Sequence, residues 1–156
     1  MDKNMIRRDL IQLDWTVADQ DEFFTRMIGK LEELGYVKGT FDAAIRQREA
    51  TFPTALPTQP EAIAIPHSDV EHIERPFIAC TRLAQPIGWH EMGNDENELQ
   101  VRFIFMLGFT GTDGHVQVLQ MMLDNFMDAE FIHGLESITT EDEFYDLIRS
   151  MRGMDS

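Results

Sequence analysis

Val101-Arg102-Phe103-Ile104-Phe105-Met106-Leu107 constrains this chain more than any other segment. It is apolar at nearly every position and rich in β-branched and aromatic side chains, so it reads as a strand covered on both faces. Such a strand needs a layer on each side, and the flanking sequence supplies helices. From Asp19, a predicted N-cap, Phe23, Phe24, Met27, Ile28, Leu31 and Leu34 recur on one helical face, and Gly35 stands at the C′ position. Thr40 is expected to cap a second helix that turns Phe41, Ala44 and Ile45 inward, with Arg48 one turn further on. Beyond the strand, Gly114 to Met127 predicts a helix with Val118, Leu119, Met122, Leu123 and Phe126 on one side. Thr140-Glu141-Asp142-Glu143 is a capping box, opening a last helix that buries Phe144, Leu147 and Ile148. Further strands are expected at Ala62–Ile65 and Phe77–Leu83, with a short edge strand at Leu10–Trp15. Thr51 to Pro60, with three prolines, reads as a loop, and Gly93 to Glu98 as a polar turn. The expected fold class is α/β, a mixed sheet sandwiched between α-helices, with residues 1–156 as one domain.

Composition narrows the function. With 43% hydrophobic residues the chain can bury a core, yet no apolar run approaches the length of a membrane span. The N-terminus lacks an apolar h-region, so neither a signal peptide nor direct membrane insertion is expected. A net charge of -15 repels nucleic-acid backbones and anionic lipid surfaces. It suits either solubility alone or attraction to a basic protein partner. Cys80 is the single cysteine, which forbids a disulfide within one chain and points to a reducing, cytoplasmic setting. Its place mid-strand reads as a small buried apolar residue rather than a nucleophile.

The chemistry concentrates near Ile63-Ala64-Ile65-Pro66-His67. Pro66 ends the strand because it has no N–H for a ladder, and His67 follows at the mouth of a rigid element. An imidazole there can serve as nucleophile, general base or ligand. His115 lies in Gly111-Thr112-Asp113-Gly114-His115, a glycine loop opening a helix and a natural anion site. Two imidazoles and the Arg48 guanidinium around a strand end can hold a phosphoryl group. His67-Ser68-Asp69-Val70-Glu71-His72 contains metal-ligand types, but no established ligand spacing is present, and no metal or other cofactor is expected. Neither a nucleophile elbow nor a Walker loop is found. His72, His90 and His133 read as ordinary surface or satisfied histidines, and the ten methionines as core filler with a minority lining a docking surface.

Ala62-Ile63-Ala64-Ile65-Pro66-His67, Arg75-Pro76, Arg48-Glu49 followed by Thr54, and Gly114-His115-Val116-Gln117-Val118-Leu119 occur in an order and spacing that resembles one known family. It is the IIA component (EIIA) of the sugar phosphotransferase system (PTS), in its fructose–mannitol (type 2) superfamily, and the resemblance runs from about Ile11 to Ile148. Arg48 to Thr54 and the Asn94-Asp95-Glu96-Asn97 segment look most like the galactitol-type proteins. The resemblance implies a phosphotransferase. The phosphoryl group would come from phospho-HPr and pass to the cysteine of an EIIB component, with the membrane EIIC served indirectly. It implies that His67 is phosphorylated, that His115 is its partner and that Arg48 is the charge clamp. Thr54, and Ser68 where glycine is common in the family, are candidate phosphoryl contacts. A neutral imidazole nitrogen must attack, so the other ring nitrogen should be fixed as a donor, to a backbone carbonyl. Asp69-Val70-Glu71 is expected to face water. The same residues also fit a regulatory, nitrogen-type relative that controls a target protein by its phosphorylation state, and an inactive structural domain is a third reading.

Overall fold

The structure, a computed structural model, describes residues 3–111 and 115–154. Its elements are β1 (Ile6–Trp15), α1 (Gln20–Glu33), α2 (Phe41–Thr51), β2 (Ala55–Leu56), β3 (Ala62–Ala64), β4 (Phe77–Glu91), β5 (Asn94–Gly108), α3 (His115–Phe126), α4 (Ala129–Ser137) and α5 (Glu141–Arg149). The sheet is mixed. β1 runs parallel to β4, β4 antiparallel to β5, β5 parallel to β3 and β3 antiparallel to β2, while Ala55 of β2 bridges back to Glu91 at the end of β4.

Period-two alternation divides the sheet between two cores. Phe103, Phe105 and Leu107 of β5, with Ile78 and Cys80 of β4 and Ile63 of β3, pack against Met122, Phe126, Ile132, Leu135, Phe144 and Ile148 of α3, α4 and α5. Ile104 and Met106, with Phe77, Ala79 and Ala64, face Phe23, Phe24, Met27, Leu31, Phe41 and Ile45 of α1 and α2. The expected two-sided strand and helical sandwich are therefore present.

Local chemistry sets the helix ends. The Asp19 side chain accepts from Glu22 N, and Gly35, at φ 80°, closes α1. Gly35 N–H donates to Glu32 O and Tyr36 N–H to Leu31 O, the paired bonds of a Schellman motif. Leu34, expected on the apolar face, is the C-cap residue and exposed, because the helical face ends one residue earlier. The capping box of α5 forms as expected, with Glu143 N–H bonded to Thr140.

Several boundaries differ from the sequence reading. The edge strand begins at Ile6, and the loop from Thr51 to Pro60 contains β2. β4 and β5 extend into a long hairpin whose turn is Met92-Gly93, with Gly93 at φ 76°, so Asn94 to Glu98 are strand rather than turn. Backbone pairing carries this arm, since residues 94–98 are exposed on both faces and leave no hydrophobic period to read. Helix α4 was not expected. Asp128 caps it, and Phe131, Ile132 and Leu135 are buried.

A buried arginine ties the layers together. Arg82 on β4 donates to both oxygens of Asp14 and to the carbonyls of Leu135, Glu136 and Ile138 at the end of α4. Asp14 is the extra residue of a bulge between Leu13 and Trp15, at φ 57°.

Candidate functional site

The site lies where β3 leaves the sheet. Ile65 N–H still donates to Thr54 O, and Pro66, although it has no N–H, still accepts from Leu107 N–H at 3.0 Å. His67 then rejoins the ladder as a single parallel bridge to Leu107. The backbone on both sides of the proline is therefore anchored, which is stiffer than a strand that simply stops.

Its imidazole is half-buried. His67 Nδ1 lies 2.8 Å from the Ile65 carbonyl oxygen. A carbonyl only accepts, so Nδ1 carries a proton, and in the neutral ring the lone pair is then on Nε2. That is the donor arrangement expected for a ring that attacks through its far nitrogen.

Arg48 occupies the last turn of α2. Its Nη1 lies 3.2 Å from Asp69 Oδ1, and its guanidinium carbon sits 5.5 Å from the centre of the Phe52 ring. Asp69, two residues after His67, faces water as expected and in addition holds this guanidinium. Arg48, Asp69 and His72 line one hollow of about 410 Å3 with Ala44, Gln47, Thr51 and Phe52. His72 Nδ1 also lies 2.8 Å from Thr40 Oγ1, which explains why Thr40 caps α2 without a side-chain bond to the helix.

Glu49, next to Arg48, points the other way and is buried. Phe41, Ile45 and Glu49 stand at successive four-residue steps, so an acid occupies a core position of the helix. Thr54 N–H and Trp89 Nε1–H both donate to its Oε2, at 2.7 and 3.0 Å, and Thr54 Oγ1 donates to Oε1 at 2.7 Å. Burial raises its carboxyl pKa above the ordinary value, and these donors oppose the rise. The Arg48-Glu49 motif alone assigns Glu49 no role. The acid on an apolar helical stripe was the signal for it.

The Thr54 hydroxyl is buried and committed to Glu49, and the buried Ser68 hydroxyl donates to the Asp69 carbonyl at 3.1 Å. His115 begins α3, and seven residues separate it from Leu107, the bridge partner of His67. Its side chain, and Thr112 to Gly114 of the expected anion loop, lie outside the described residues. Cys80 is fully buried, and burial pushes its thiol pKa well up. Among the described residues no group of three or more His, Cys, Asp or Glu side chains could hold a metal, and no helix is long and apolar enough to cross a membrane.

Residues 4–151 match the model of the family described as phosphoenolpyruvate-dependent sugar phosphotransferase system, EIIA 2. The chain belongs to this family. It is 28% identical over 153 residues to the Multiphosphoryl transfer protein 2 of Escherichia coli K12, covering 95% of this chain but 17% of that much longer relative. It is 24% identical over 118 residues to the PTS system galactitol-specific EIIA component of E. coli K12, covering 76% of this chain and 78% of the relative. Two solved structures share the EIIA fold. The nitrogen regulatory protein IIA-Ntr of Neisseria meningitidis superposes with a TM-score of 0.74 at 20% identity, over 94% of this chain and 97% of that one. The enzyme IIA of E. coli, solved in complex with phosphorylated enzyme IIB of the mannitol system, superposes at 0.72 with 22% identity, over 92% and 97%.

Proposed function

We propose that this EIIA protein is a phosphocarrier that accepts a phosphoryl group from phospho-HPr on His67 Nε2 and donates it to the cysteine of an EIIB component. Residues 1–156 act as one such unit, in the cytoplasm. The observation that carries the proposal is the bond from His67 Nδ1 to the Ile65 carbonyl, because it places the ring proton on Nδ1 and makes Nε2 the nucleophilic nitrogen of the neutral ring. In the accepting step the donor's N–P bond breaks as an Nε2–P bond forms. The donor imidazole leaves neutral, and the His67 ring, still protonated at Nδ1, takes the positive charge. In the donating step the EIIB thiolate attacks phosphorus and the His67 imidazole returns to neutral. The transition state is loose, so the protein mainly positions groups and stabilises charge. Arg48 and His115 serve that purpose, Arg48 by exchanging Asp69 for the phosphoryl oxygens. Ser68 and Thr54 are the candidate phosphoryl contacts, their hydroxyls bonded before phosphoryl transfer to the Asp69 carbonyl and the Glu49 carboxyl. A galactitol-type polyol is the proposed sugar, supported by the galactitol-specific relative.

The test is labelling by phospho-HPr. Wild-type protein should take up the label, His67→Ala should not, and His115→Ala should label but pass phosphate to EIIB slowly. Undiminished labelling of His67→Ala would overturn the assignment.

A further inference from the structure

We propose that the face running from Arg48 across Phe52 to Met92, at the tip of the β4–β5 hairpin, is a docking surface for a basic protein partner. The inference rests on the phosphocarrier reading and locates where such a partner is held. Phe52 leaves 62% of its surface exposed and Met92 41%, which puts both among the most exposed large apolar side chains described. They are connected. The hollow beside Arg48 and a second one of about 290 Å3, lined by Thr51, Phe52, Pro53, Met92, Gly93 and Asp95, share Thr51 and Phe52. Phe52 is thus the ridge between two shallow basins.

The ridge is also fixed. Phe52 N–H donates to Arg48 O at 2.7 Å, the Arg48 guanidinium lies near its ring, and Glu49 holds Thr54 just beyond. Met92 N–H donates to Ala55 O at 2.8 Å and ties the hairpin tip to β2. With its backbone held, an exposed aromatic has only two side-chain torsions to lose on contact, which makes it an effective anchor. The β2–β3 register sets Ala55 opposite Ala64 and Thr54 opposite Ile65, so Phe52 lies toward the His67 end of the pair.

Charge chooses the occupant. From Ala84 to Gln100 the hairpin carries Glu91, Asp95, Glu96 and Glu98 and no lysine or arginine. Acids along an open strand edge protect against edge-to-edge pairing, which accounts for their presence. It does not account for Phe52 and Met92 beside them. An apolar ridge with an acidic rim complements a protein whose own apolar patch is ringed by Lys and Arg. It disfavours nucleic acid and anionic lipid, and the open basins do not enclose a small ligand.

The experiment compares His67 labelling by phospho-HPr with labelling by phosphoramidate, which needs no protein contact, in wild type, Phe52→Ala and the double variant D95K/E96K. The ratio of the two rates should fall at least tenfold in each variant. For D95K/E96K the loss should shrink as salt rises, because screening acts within about 8 Å at physiological ionic strength. Ratios within twofold of wild type would overturn the docking surface. If HPr labels no form while phosphoramidate does, the phosphocarrier reading fails separately. Amide shifts on titration with HPr then decide the surface: shifts at Phe52, Met92 and Asp95 support it, and none there overturns it.

Discussion

Replacing Glu49 separates the chemistry of a buried carboxyl from its shape. In Glu49→Ala the Thr54 N–H and Trp89 Nε1–H, both held now by Oε2, lose their acceptor. Each orphaned buried donor costs about 1–3 kcal/mol, and the lost side-chain volume adds to that. Part is returned, because burial already disfavours the ionised carboxyl. A net loss of about 3 kcal/mol is expected. Glu49→Gln is the informative control. An amide oxygen at the Oε2 position can accept from both donors, and the amide nitrogen at Oε1 can donate to the Thr54 hydroxyl. Its stability at pH 7 should lie within about 1 kcal/mol of wild type. The pH dependence has a definite sign. The folded pKa is raised above 4.5, so between those two values the folded state binds more protons than the unfolded chain. The contribution of Glu49 to stability is then full below 4.5 and declines as pH climbs through the raised folded value. That decline should be absent in Glu49→Gln. Urea unfolding followed by tryptophan fluorescence from pH 4 to 8 measures all of this. Glu49→Ala within 1 kcal/mol of wild type, or Glu49→Gln as unstable as Glu49→Ala, would refute the reasoning.

Arg48→Ala should cost roughly 2–4 kcal/mol of transition-state stabilisation in transfer to EIIB, read by rapid quench. Asp69→Asn releases an ion pair with both partners substantially exposed, worth about 0.2–1 kcal/mol. Stability should barely change, and transfer should speed up by no more than about fivefold as Arg48 is freed; slower transfer would show that Asp69 aids the reaction. Arg82→Met strips the carbonyls at the end of α4 of their donor and should cost about 3 kcal/mol, a fall in Tm of roughly 6–12 °C by calorimetry.

What the sequence revealed followed from how local the determinants are. Asp19, Gly35 and the Thr140–Glu143 box act within one helical turn, and the structure shows each in its expected bond. The two-faced run around Phe105 announced both helical layers. The hairpin arm from Asn94 to Glu98 did not show, because its side chains all meet water and its order resides in backbone bonds. Helix α4 has nine residues with Gly134 inside, too short a period to stand out. At the site, strand-proline-histidine was visible in one dimension. The lock on Nδ1 requires the chain to fold back on Ile65, and the burial of Glu49 depends on Trp89, forty residues away. Neither distance is written locally.

The sheet's topology also sets a timetable for synthesis. β1 leaves the ribosome well before its pairing partner β4, and the long hairpin is complete only at Gly108. Until α3, α4 and α5 follow, Ile11, Ile63, Cys80, Phe103 and Phe105 have no cover. A nascent chain that pauses there exposes an apolar sheet face to its neighbours, the kind of surface chaperones bind. Translation speed over residues 109–149 should therefore influence the yield of folded protein more than speed over the first two helices.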